Sequence, residues 1–134
     1  MKYADLLWAP PAYWELDPIE KEDICNGVGP RGFGFLIPDT IWGLSVTEAA
    51  DIHDYMYEIG EYDMDKIDAD DVFLNNMVRI IEKQTKWNWL KKLRCRRARV
   101  MYHAVTHFGG PAFWANKTDA GSTFNEIAPG IINA

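Results

Sequence analysis

The sequence predicts a single, mainly α-helical domain built around three long helices, and three observations lead there. Apolar residues recur at helical spacing in three successive segments between residues 45 and 108. Each segment is bounded by residues that start or stop helices. A chain of 134 residues that is 48% hydrophobic and 25% charged can bury one core but not two. The expected layout is a loop-rich region over 1–44, a helical core over 45–108 and an irregular cover over 109–134.

The first region carries Pro10, Pro11, Pro18, Pro30 and Pro38 and the run from Asn26 through Gly27, Val28, Gly29, Pro30, Arg31, Gly32 and Phe33 to Gly34. Prolines remove backbone donors and glycines permit positive φ, so the segment reads as ordered loop that wraps the rest rather than forming helices. A short strand is expected at Phe33 to Ile37. Ser45, Val46, Thr47 and Glu48 then fit a capping box, with Ser45 as the cap and Glu48 reaching back. The helix that follows runs through Ala49, Ala50, Ile52, Met56 and Ile59 and stops at Gly60.

After an acidic connector from Glu61 to Asp68, the spacing of Phe73, Met77, Ile80 and Ile81 predicts a second helix over about Ala69 to Gln84. Asp70 and Asp71 then sit in its first turn, where the helix dipole favours acids. A third helix is expected from Trp89 to Phe108, with Leu93, Val100, Met101, Ala104 and Phe108 on one face and Lys92, Arg96 and Arg99 largely off it. Gly109, Gly110 and Pro111 end it. From Ala112 onward, Gly121, Pro129 and Gly130 among scattered apolar residues suggest an irregular or partly extended cover.

No apolar run is long enough for a transmembrane helix, and the first residues, broken by Pro10 and Pro11, read as neither a span nor a secretory signal. Cys25 and Cys95 are therefore expected to be free thiols, in a protein made in a reducing cytoplasm. The net charge of −6 is strongly segregated: residues 1–82 hold eighteen acids against five bases, and 83–118 hold nine bases and no acid. The basic segment, with Lys91, Lys92, Arg96 and Arg99 beside Trp87 and Trp89, has three readings. It is a solvated face balanced by the acidic half, a surface for anionic lipid headgroups, or a nucleic-acid surface. The acidic balance of the whole chain disfavours nucleic acid.

The chemistry centres on His53 and Asp54 of the first long helix. Adjacent helical residues project about 100° apart, so the imidazole and the carboxylate serve different partners, while Tyr57 lies one turn beyond His53 on nearly the same face. The upstream glycine-rich loop can turn several carbonyl oxygens toward one point, which suits a hard cation such as calcium, with Asp54 as the anionic ligand. If the first two helices pack antiparallel, Asp70 can reach the far nitrogen of His53 and fix its tautomer. The competing reading is a buried structural histidine bonded to a carboxylate. His103 and His107, four apart, lack the Glu and the further ligands of a zinc site. A dimetal HD-type phosphohydrolase needs a histidine upstream of His53, and there is none.

Three motifs in order carry a family resemblance. Asn26 to Pro30, the stretch from Thr47 to Tyr57 containing His53-Asp54-Tyr55-Met56-Tyr57, and Ala69-Asp70-Asp71-Val72-Phe73 together resemble the phospholipase A2 superfamily, closest to the disulfide-free phospholipase domain of parvovirus capsids. The chain is also similar to small phage and prophage proteins that add a later Met-Tyr-x-Ala-Val stretch, here Met101 to Val105. The resemblance implies a small phospholipase A2-like fold and calcium-dependent hydrolysis of glycerophospholipid sn-2 esters. His53 matches the general base, Asp70 its orienting partner and Tyr57 the support of Asp70. Asp54 with the carbonyls of Cys25, Gly27 and Gly29 matches the calcium site, and the amide of Gly27 the oxyanion donor.

The implied partners are an anionic phospholipid surface and phage virion or lysis proteins. Two departures stand out: the stretch from Gly29 to His53, with Asp39 and Trp42 in it, is longer than in the superfamily, and Asn26 replaces a cysteine of the secreted enzymes' loop. A second function of a different class is a non-catalytic phage structural or accessory protein that keeps the scaffold and binds through its basic, aromatic surface.

Overall fold

The computed structural model describes residues 2–25, 39–115 and 117. The N-terminal region is more helical than its prolines suggest: α1 covers Tyr3–Leu6, a 3₁₀ turn covers Pro11–Glu15, and α2 covers Pro18–Ile24. Pro18 occupies the first turn of α2, where a missing N–H costs nothing. Asp17 accepts from the Glu20 amide at 2.8 Å while Glu20 accepts from the Asp17 amide at 3.1 Å, a complete capping box. The expectation of a region without helices is corrected by this signal, an acid, a proline and a second acid at box spacing. The strand expected at Phe33 to Ile37 lies outside the described residues.

Strands β1, Thr40–Ile41, and β2, Leu44–Ser45, form an antiparallel hairpin pairing Thr40 with Ser45 and Ile41 with Leu44. Its two central residues, Trp42 at φ 48° and Gly43 at φ 80°, both take positive φ, as a type I′ turn requires. Helix α3, Thr47–Ile59, follows directly. Its expected capping box is not made: Ser45 is tied into β2, and Glu48 turns instead to the Tyr13 hydroxyl at 2.5 Å and the Lys21 ammonium at 3.1 Å. A cation and a phenol satisfy that carboxylate better than one backbone amide. Gly60 caps the far end as expected.

Helix α4, Asp63–Gln84, starts six residues before its expected position, because the acidic connector is itself helical. The Asp65 carboxylate accepts from the amides of Glu61 at 2.8 Å and Tyr62 at 3.0 Å, and Asp63 adds charge at the same positive helix end. Asp70 is thus a buried interior residue of α4 rather than a first-turn acid. Helix α5, Asn88–Phe108, and the short α6, Gly110–Trp114, complete the described body. The expected irregular cover is helical where it begins, since α6 buries Phe113 against Tyr57, ring centroids 5.2 Å apart, and residues 118–134 lie outside the described ones.

Pairings fix the topology. Tyr57 meets Asp70 while His53 meets Phe73, so α3 and α4 run antiparallel. Glu82 meets Lys91 and Asp71 meets Tyr102, so α4 and α5 do too. Phe73, Met77, Ile80 and Ile81 of α4 fill the core between them, beside Ile52 and Tyr57 of α3 and Ala98, Met101 and Val105 of α5. The N-terminal arm is clamped on α4 by buried Asn76, which accepts from the Trp8 amide at 2.9 Å and donates to its carbonyl at 2.8 Å. The fold is therefore mainly α, and no helix among the described residues is long and apolar enough to cross a membrane. Cys25 and Cys95 are free thiols.

Candidate functional site

Antiparallel packing of α3 on α4 brings together three residues singled out in the sequence. His53 Nε2 lies 2.7 Å from Asp70 Oδ1, and the Tyr57 hydroxyl donates to that same oxygen at 2.7 Å. The His53 ring also lies against Phe73, centroids 4.7 Å apart, and against Tyr57 at 4.2 Å. An ionised carboxylate only accepts, so Nε2 carries the proton and, in the neutral ring, Nδ1 carries the lone pair.

Lys66 completes the group. Its ammonium donates to Asp70 Oδ2 at 2.8 Å and to the Val105 carbonyl at 3.0 Å, joining the dyad to the carboxy-terminal turn of α5, whose dipole favours a cation. The sequence reading missed this residue because it placed Lys66 in a connector. The i,i+4 spacing of Lys66 and Asp70 would have marked it once the helix was extended.

Burial and charge set the protonation states. Burial lowers the basicity of His53, with Asp70 opposing and Lys66 assisting, so the ring is neutral near pH 7. For Asp70, burial alone would raise the pKa, but hydrogen bonds from His53, Lys66 and Tyr57 together hold the carboxyl below the usual range. Burial first, then the Asp70 charge, pushes the Tyr57 phenol up, so it remains a donor. The result is a neutral imidazole on a fixed carboxylate, able to take a proton at Nδ1.

Asp54 is buried one residue on, and its charge bears on the Cys25 thiol, which burial, Asp51 and Asp54 push up to about 12. The thiol donates to the Asp51 carbonyl at 3.3 Å, so the chain leaves α2 alongside the Asp51–Asp54 turn of α3. Gly27 and Gly29, the other residues of the expected calcium and oxyanion site, lie outside the described residues. Among the described residues, no three His, Cys, Asp or Glu side chains converge to hold a metal.

Two findings bear on the competing readings. His53 is 0% exposed and Asp70 nearly so, so hydrolysis at this dyad requires an opening to the ring. Lys91, Lys92, Arg96 and Arg99 line a shallow recess of α5 with Glu82, Asn88 and Cys95, and Trp87 and Trp89 stand exposed at its start. The sequence reading did not connect Trp42 with this end of the molecule. Arg94 makes the connection, donating to the Trp42 carbonyl at 2.7 Å and to the Thr85 hydroxyl at 3.0 Å. Comparison with protein-family models, curated proteins and solved structures finds no match.

Proposed function

We propose that the chain is a phospholipase A2-like carboxylic ester hydrolase acting on glycerophospholipid sn-2 esters, encoded by a phage or prophage. The observation that carries this reading is the buried bond from His53 Nε2 to Asp70 Oδ1 at 2.7 Å, which leaves the other ring nitrogen as a base. In the proposed step, His53 Nδ1 takes a proton from water while the water oxygen bonds to the ester carbonyl carbon. The imidazolium returns that proton to the departing alkoxide as the ester bond breaks, giving fatty acid and lysophospholipid. Asp70 stabilises the transient imidazolium, Tyr57 and Lys66 hold Asp70 in place, and no serine nucleophile is needed.

Calcium, held by Asp54 and the carbonyls of Cys25, Gly27 and Gly29 as the resemblance implies, would supply positive charge to the developing oxyanion, with the Gly27 amide beside it. A second reading, a non-catalytic phage structural or accessory protein, is favoured by the complete burial of His53. Fatty-acid release from mixed phosphatidylglycerol vesicles, with calcium and with chelator, separates the two. Calcium-dependent release, reduced about a thousandfold in a folded His53→Gln variant, is expected for the hydrolase. Equal background rates in every condition would leave the accessory-protein reading standing.

A further inference from the structure

We propose that α5 is a membrane-docking helix whose outer stripe lies flat on an anionic phospholipid bilayer, with indoles seated at the headgroup level. The choice of partner rests on the lipid-hydrolase reading, but the surface itself is read from the helix. Trp89, Lys92, Arg96, Arg99, His103 and His107 are all exposed. At 100° per residue they fall within an arc of about 80°, opposite the buried Ala98, Met101 and Val105. The stripe runs the length of a 21-residue helix, roughly 30 Å.

Indoles mark the amino end of the stripe. Trp87 and Trp89 are 59% and 62% exposed there, their rings nearly parallel with centroids 6.4 Å apart. The Arg94 guanidinium, which bridges the Thr85 hydroxyl and the Trp42 carbonyl, lies on the opposite face of α5, beside Ala98 and Met101, so Trp42 is not part of the stripe.

Charge selects the occupant. The stripe carries Lys92, Arg96 and Arg99 and no acid within a chain of net charge −6, so this face attracts an anionic surface while the acidic remainder is repelled from one. Tryptophan at the edge of a basic helix fits the bilayer interface, where an amphipathic ring has both an apolar and a polar neighbour. A nucleic-acid strand would need a basic track continuing beyond this helix, but the neighbouring α4 is acidic in its first half. Lys66 joins the dyad to the Val105 carbonyl of α5, so flat docking would hold the site about one helix diameter, roughly 10 Å, above the headgroups.

The test uses the full chain carrying His53→Gln, so that lipids stay intact, and measures co-sedimentation and tryptophan fluorescence. The probes are phosphatidylcholine vesicles, the same vesicles with phosphatidylglycerol, and an oligothymidylate. Binding to the anionic vesicles is expected, at least tenfold tighter than to phosphatidylcholine alone, with a blue-shifted emission. Replacing Lys92, Arg96 and Arg99 by Gln should weaken it about a hundredfold, at on the order of 1 kcal/mol per base. Trp87→Ala with Trp89→Ala should weaken it several-fold, with helix content unchanged in both variants. Failure to bind anionic vesicles, equal binding by the Gln variant, or tighter binding to the oligothymidylate would overturn the proposal. Vesicle binding without fatty-acid release from the native chain would keep this surface and remove the hydrolase reading. Release from detergent-dispersed lipid without vesicle binding would do the reverse.

Discussion

The residue on which the site most depends is one the sequence did not advertise. Lys66 is nearly buried and bonds to Asp70, whose carboxylate is shielded from water, so removing the ammonium leaves a buried charge with only neutral donors. Lys66→Met is expected to cost about 2 to 4 kcal/mol in urea unfolding at pH 7, and Asp70→Asn in the same chain to restore part of that. The pH dependence has a definite sign. Asp70 has a folded pKa below its ordinary value of 3.8, so its contribution is present above about pH 4 and is lost as the pH falls through the depressed pKa. The cost of Lys66→Met should shrink over that same range, and a cost independent of pH would mean that Lys66 acts only through packing. His53, Asp70 and Tyr57 were readable as a group because helical spacing and an antiparallel guess suffice to bring them together. Lys66 was not, because its role depends on where α4 begins.

At the scale of elements, the apolar repeats located α3, α4 and α5, since each helix buries a regular stripe against a neighbour. Their starts were harder to read, because a capping side chain chooses among partners that only the fold supplies. Glu48 took Tyr13 and Lys21 instead of its own helix end, and Asp65 made a cap within a segment that read as connector. The N-terminal helices were obscured by proline, which breaks a helix interior but suits the first turn, as Pro18 does. The short α6 carries a close approach that a stop signal alone does not reveal. Gly60 ends α3 with φ −69°, a value any residue adopts, so its conformation does not demand glycine. Space does: a Cβ there would stand 2.7 Å from Phe113 Cε1 and 3.1 Å from the Asp65 Cβ. Phe113 is fully buried against Tyr57 and has little room to yield. Gly60→Ala should therefore destabilise the protein by about 1 to 3 kcal/mol, with Phe113 displaced from Tyr57. Phe113→Leu in the same chain should recover part of the loss, whereas unchanged stability in the single variant would show that α6 moves freely.

For the whole molecule, the decisive relation is between a buried dyad and an exposed basic helix on the far side of α4. The chain has three histidines in two kinds of place: His53 sealed between α3 and α4, and His103 and His107 on the outer stripe of α5. Diethyl pyrocarbonate acylates accessible neutral imidazoles, so in solution His103 and His107 should react quickly and His53 slowly, with urea removing the difference. Anionic vesicles should change this pattern in a way that distinguishes the functional readings. Flat docking of α5 covers the outer stripe, so His103 and His107 should become protected. Hydrolysis requires water and an ester to reach His53 Nδ1, so an interfacial hydrolase must open a path to that ring and His53 should gain reactivity on the same vesicles. A scaffold that only binds should protect the two outer histidines while His53 stays slow. Unchanged reactivity at all three positions would remove both the docking surface and the opening. The three rings thus report separately on the surface and on the site, and the combination in which the outer pair is protected and the inner one exposed is specific to a lipase working at an interface.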